Sequence, residues 1–175
     1  MPPTPLELYK ARFLRLLRQD GWEYVERSNT IPAVGILAVT DERKILLVEQ
    51  FRIPINSTCI ELPAGLIGDL TGSENESLAA AAIRELEEET GYTAAAIELL
   101  TRGPSSAGLT SEQIILVRAT GLRRIGPAGG DGTENITLHE IPLAEVHAWL
   151  ANRLANGTPI DPKVYAGLYF VSFNS

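Results

Sequence analysis

The chain has 175 residues, 45% of them hydrophobic and 21% charged, a composition that suits one globular domain with its own core and excludes a disordered chain. Its net charge of −7 argues against a nucleic acid or an anionic membrane surface as main partner, since both reward clustered Lys and Arg; a small anionic substrate would need a local cationic patch or a bound metal. Apolar runs such as "AVGILAV" are too short to span a bilayer, no basic-then-apolar secretory signal is expected, and the single cysteine, Cys59, excludes an internal disulfide and suits a reducing cytoplasm.

Residues 5–19 carry Leu6, Tyr9, Phe13, Leu16 and Leu17 at helical spacing and predict an amphipathic helix, followed by strand-like "WEYVERSNT". From Ile31, "PAVGILAV", the turn-like "TDER" and "KILLVEQF" predict a hairpin. "STCIELPAG" reads as a short strand that stops at Pro63 and Gly65, with Cys59 as a small buried residue within it. The loop "GLIGDLTGS" leads to a helix over 74–90 that ends at Gly91. Strands are expected at 95–100, 113–119 and 135–141, with helices beginning near Pro142 and after Asp161. "GPAGGDGT" has loop composition, and no internal repeat occurs. Strands with helices inserted between them indicate an α/β or α+β sandwich.

The acidic stretch "IRELEEETGY" sets the chemical problem. On a helix, Ala79, Ala82, Ile83 and Leu86 form an apolar stripe, and Glu85, Glu88 and Glu89 converge on a face beside it. Like charges at this spacing cost roughly 0.2–0.5 kcal/mol per pair, and acids near a helix C-terminus also oppose its dipole. Arg84 can pair with Glu87 or Glu88 but cannot neutralise four glutamates. A solvated acidic face is the bland alternative. Carboxylates and a backbone carbonyl suit Mg²⁺ or Mn²⁺, and the lack of a His or Cys cluster argues against zinc.

"RELEEETGY", Arg84 to Tyr92, resembles the Arg-Glu-U-x-Glu-Glu-x-Gly-U half of the Nudix box, where U is aliphatic or aromatic. Glu76 stands at the family's spacing before Arg84, whereas the loop from Gly65 to Glu76 is about five residues longer than the family's. "VEQFR", "IELPAGL", "GWEYVER", "GPSSAGLTSE" and "DPKVYAGLYF" are similar to the ADP-ribose pyrophosphatase branch. The resemblance implies a Nudix α/β/α sandwich over 31–175 with a mixed sheet. Residues 1–30 would be a small strand-rich extension, set beside the helix that spacing predicts there, and used in base stacking and homodimer formation. It implies that Ala64 lends a carbonyl, and Glu85, Glu88 and Glu89 their carboxylates, to the metal. Arg27 and Arg52 would hold the diphosphate and terminal sugar, and Trp22 would stack on adenine.

The implied reaction is metal-dependent cleavage of a nucleoside diphosphate sugar, foremost ADP-ribose to AMP and ribose 5-phosphate, with another sugar nucleotide such as GDP-mannose or a non-catalytic binder as alternatives. The resemblance further implies that Glu88 would support the metal carboxylates and that a loop glutamate, Glu134 or Glu112, would be the base that orients the water. Each residue has a plainer reading: Trp22 as a core cap, Arg27 and Arg52 as ion-pair partners, Glu134 and Glu112 as solvated loop acids. His139 and His147 read as structural.

Overall fold

Residues 5–19 form strands rather than a helix. The structure, a computed structural model, describes residues 4–28, 31–68, 76–129 and 135–172. In it β1 (Leu6–Lys10), β2 (Leu14–Gln19) and β3 (Trp22–Arg27) make an antiparallel sheet of their own. Asp20 and Gly21, both at positive φ, form the two-residue turn that sets the β2–β3 register from Leu14 opposite Arg27 to Gln19 opposite Trp22. A helix here would need a surface on which to bury its apolar stripe. The ladder to β3 instead satisfies the backbone, and pairing overrides the helical spacing.

The remaining elements are β4 (Ala33–Ala38), β5 (Lys44–Arg52), a 3₁₀ turn (Ile53–Ile55), β6 (Ser57–Glu61), β7 (Ala64–Leu66), α1 (Leu78–Thr90), β8 (Tyr92–Thr93), β9 (Ala96–Pro104), β10 (Gln113–Thr120), β11 (Arg123–Arg124), β12 (Ile136–Pro142), α2 (Val146–Ala155) and α3 (Pro162–Ser172). The expected hairpin over 31–52 is only partly formed. A turn closes where Thr40 N–H donates to the Lys44 carbonyl at 2.8 Å, and one bridge joins Val39 to Ile45. Beyond it the strands part into different sheets. β4 lies between β7 and β10, parallel to β10, in the order β7-β4-β10-β9; β5 lies between β12 and β6. Their nearly continuous apolar runs explain the divergence, because both strands are covered on both faces.

Alternate residues feed two cores. Val34, Ile36, Leu46, Ile115 and Val117 meet Ala82 and Leu86 of α1. Leu37, Ile45, Leu47, Ile60 and Leu116 meet Val146 and Leu150 of α2 and Val164 and Leu168 of α3. This is an α/β architecture with mixed strand pairing and helices on both sides. Pro142 ends β12 instead of opening a helix, and α2 starts only at Val146; Pro162 does open α3. None of the described helices is long and apolar enough to cross a membrane.

Gly91 ends α1 at φ +71°, and its N–H donates to the Glu87 carbonyl at 2.9 Å. A Cβ there would overlap the backbone of Gly126 and Pro127, which packs against the helix end. Gly91→Ala should therefore cost at least about 1–2 kcal/mol for left-handed strain alone. Gly126→Ala, where a Cβ meets nothing within 4 Å, should change stability by less than about 0.5 kcal/mol. Urea unfolding of both variants checks the contrast.

Candidate active site

Ser77 caps α1 by accepting a hydrogen bond from Ala80 N–H at 3.2 Å, so the helix begins at Leu78, later than the expected 74. Its buried face comprises Ala81, Ala82, Glu85, Leu86, Glu89 and Thr90. The expected stripe is thus rotated: Ala79 is exposed and Ile83 half-buried, while two glutamates point inward. Glu85 is 9% and Glu89 4% exposed. Glu88 lies at the rim.

Burying carboxylates requires compensation. One oxygen of Glu89 accepts the Ala64 N–H at 3.0 Å. Glu85 lies against Gly65, where a Cβ would overlap its carboxyl group, so glycine leaves room for the carboxylate in this place. Arg84 Nη1 donates to Glu85 at 2.8 Å and to Glu88 at 3.3 Å. Its Nε and Nη2 hold Glu76 at 3.0 and 3.1 Å, and Nη2 also donates to the Leu66 carbonyl at 3.1 Å. Pairing with Glu76 and Glu85 thus exceeds the expected pairing with Glu88, and Glu87 is not among the acids that Arg84 is seen to hold. The Glu76 bond raises the Arg84 pKa against the opposing effect of burial. The same bond leads in lowering the Glu76 pKa. Glu76 also accepts the Gly68 N–H at 3.0 Å, which anchors the lead-in; residues 69–75 of that loop lie outside the described residues.

The donors on this face are oxygens alone, and the gap at Gly65 leaves room for the Glu85 carboxylate, a set that fits a hard divalent cation. Among the described residues, no three acidic, His or Cys side chains are gathered closely enough to hold a metal ion. Arg84 Nη1 stands between Glu85 and Glu88 in their place.

The other predicted residues fall into two groups. Arg52, at the end of β5, is bonded through Nε and Nη2 to Glu61 at 2.5 and 2.9 Å. Glu61 is 5% exposed and was not singled out from the sequence; the available signal was an acid inside the apolar run "CIEL" directly before "PAG". Arg27 Nε and Nη2 both reach one oxygen of Glu112 at 2.7 Å, in a cleft of about 200 Å³ that Arg102 also lines. Trp22 is 64% exposed and therefore not a core cap. It lines a cavity of about 470 Å³ with Gln19, Asp20, Tyr24, Gly108 and Thr110. Backbone bonds between Val25 and the 109–111 segment, at 2.9 and 3.2 Å, tie β3 to this cavity's far wall. Glu134 lies outside the described residues.

His139 bonds Glu49 at 2.9 Å and packs on Trp149, and Arg153 also donates to Glu49; this is a structural arrangement. His147 is exposed on α2. Cys59 is buried, and burial leads in pushing its thiol pKa up to about 11, which suits packing and not nucleophilic attack.

A NUDIX domain profile matches residues 29–166. The methanol dehydrogenase activator of Bacillus methanolicus is 37% identical over 122 residues, which cover 69% of this chain and 63% of that protein. The ADP-ribose pyrophosphatase of Bacillus subtilis is 49% identical over 80 residues, covering 46% of this chain and 40% of that protein. The chain thus spans less than two thirds of the length of either relative. A solved structure described as an ADP compounds hydrolase superposes with a TM-score of 0.66 at 25% identity, covering 86% of this chain and 84% of that one. With glutamates of the "RELEEETGY" motif buried against Ala64 and Gly65, and with the profile covering most of its length, the chain belongs to the Nudix family.

Proposed function

We propose that this protein hydrolyses the diphosphate bond of a nucleoside diphosphate sugar, foremost ADP-ribose, to AMP and ribose 5-phosphate with Mg²⁺. The observation that carries the reading is the pair of inward glutamates, Glu85 and Glu89, seated against the Ala64–Gly65 backbone. Glu85, Glu88, Glu89 and the Ala64 carbonyl would hold the cation. When bound, it offsets the charge of the diphosphate and lowers the pKa of a water ligand. Arg84 Nη1, which donates to Glu85 and Glu88, would yield these acids to the cation while its bonds to Glu76 hold the guanidinium.

In the reaction a water oxygen bonds to one phosphorus, and the bridging P–O bond breaks. The bridging oxygen leaves with the second phosphate, and the water's proton passes to a carboxylate. On this reading Glu134 would serve as the base, and Glu112, already paired with Arg27, would help to orient the substrate. Arg27 and Arg52 brace the diphosphate and terminal sugar through charge-assisted bonds. Trp22 offers its exposed ring to the base. Relatives named for ADP-ribose and ADP compounds support adenine as that base.

The N-terminal sheet carries a second part of the reading. Every residue of β1 is exposed, and Leu6, Tyr9, Phe13 and Leu14 present large apolar surface. Scattered apolar residues need no cover, but a cluster this dense on one small sheet fits an interface with a second copy of the chain.

In a panel of sugar nucleotides with Mg²⁺, ADP-ribose should give AMP and ribose 5-phosphate with the highest kcat/KM. Faster turnover of GDP-mannose would reassign the substrate, and absence of product from any member would make the chain a binder. Glu89→Gln keeps an acceptor for the Ala64 N–H and should keep the fold, yet lower kcat more than about 100-fold, beyond the loss typical of an outer-shell change. Full kcat at saturating Mg²⁺ would remove Glu89 from the metal site. Trp22→Ala should raise KM for ADP-ribose by the roughly 1–3 kcal/mol of base–aromatic stacking, with kcat less affected. An unaltered KM rules stacking out. Light scattering should give twice the 19.0 kDa chain mass, and Phe13→Glu should shift it towards the monomer; a wild-type monomer would refute the interface.

A further inference from the structure

We propose that Glu61 is a positioning residue for substrate binding that acts through Arg52, an inference that rests on the reading of Arg52 as a ligand of the diphosphate and terminal sugar. Glu61 ends β6, opposite Val48 of β5, and its side chain is 7% exposed, against 40% for Arg52. The two side chains meet side-on: Nε and Nη2 of the guanidinium each donate to a separate carboxylate oxygen, at 2.5 and 2.9 Å. Two parallel bonds fix the guanidinium plane as well as its place, which a single contact or a lysine would not do. An ion pair kept for stability alone gains little from burying its acid, because desolvation offsets the attraction. A buried acid does anchor an arginine whose other side stays accessible, and so removes the ordering entropy that a free arginine would lose on meeting its ligand.

The segment after Glu61 strengthens the case. The Pro63 carbonyl accepts the Ile36 N–H at 2.8 Å, and the Ala64 N–H donates to Glu89 at 3.0 Å. One short hydrogen-bonded stretch therefore carries, at Glu61, the anchor of Arg52 and, at Ala64, the anchor of Glu89. Three residues of extended chain span at most about 10 Å. That is the scale of a diphosphate with its adjoining sugar, so Glu61 sets the arginine at a fixed distance from the acidic helix.

The test is steady-state kinetics on ADP-ribose with Mg²⁺ for wild type, Glu61→Gln, Arg52→Ala and the double variant, each checked for folding by thermal unfolding. Glu61→Gln should raise KM roughly 3- to 10-fold, the worth of one immobilised side chain, with kcat within about twofold of wild type. In the Arg52→Ala background the same change should add nothing, since a residue that acts only through Arg52 has no further route. An unchanged KM for Glu61→Gln, or an equal loss in both backgrounds, overturns the inference. A normal KM for Arg52→Ala overturns instead the reading of Arg52 as a substrate ligand. Should Glu61→Gln fail to fold, Arg52→Lys serves, because it keeps the charge and loses the fork. A wild-type KM for Arg52→Lys then overturns the proposal.

Discussion

Two carboxylates, those of Glu85 and Glu89, leave water when α1 docks on the sheets, and the local structure around them answers to that burial. An ion removed from water costs several kcal/mol unless paired and hydrogen-bonded. The chain supplies the compensation from separate elements. β7 brings the Ala64 N–H to Glu89 and the bare backbone of Gly65 to Glu85, and α1 brings Arg84. A residue larger than glycine at 65 would force the Glu85 carboxyl group out of its present place.

Arg84 is the second half of the same constraint. Its guanidinium spans Glu76, Glu85 and Glu88 and reaches the Leu66 carbonyl, so one side chain joins the helix start, the helix middle and the β7 end. The five-donor fork of arginine allows this, whereas a lysine could not face three acids and a carbonyl in one plane. Glu76 is held from two sides, by Arg84 and by Gly68 N–H, so the longer lead-in loop still delivers it to the helix.

What could be read from the sequence follows the range of each interaction. The closure of α1 at Gly91, the opening of α3 at Pro162 and the strands near 96, 113 and 136 are local signals, and they appear where they were expected. The character of the acidic helix was legible because its spacing is poor for a solvated helix. Its orientation was not: the stripe was placed through Ala79 and Ile83, while contact with β7 turns Glu85 and Glu89 inward. The N-terminal segment failed for the reverse reason. Its helical spacing is real, but the Asp20–Gly21 turn, itself a short-range signal, commits it to a sheet. The splitting of the 31–52 hairpin depends on β12 coming to lie beside β5, a long-range pairing that nothing local encodes.

The layout separates the features that would cut a diphosphate from those that would choose its nucleoside. The acidic helix sends Ala82 and Leu86 into a core and meets Ala64 and Gly65 through Glu89 and Glu85, so a change there touches packing as well as chemistry. Trp22 and Arg27 sit on β3, which meets the rest of the chain through backbone hydrogen bonds to the 109–111 segment and through side-chain pairs such as Ser111 with Glu26 and Arg27 with Glu112. Backbone bonds fix the position of β3 without dictating its side chains. The Trp22 ring and the neighbouring Gln19 and Asp20 can therefore change with little effect on α1. On the proposed reading, the choice of nucleoside would therefore lie with the N-terminal sheet and not with the acidic helix.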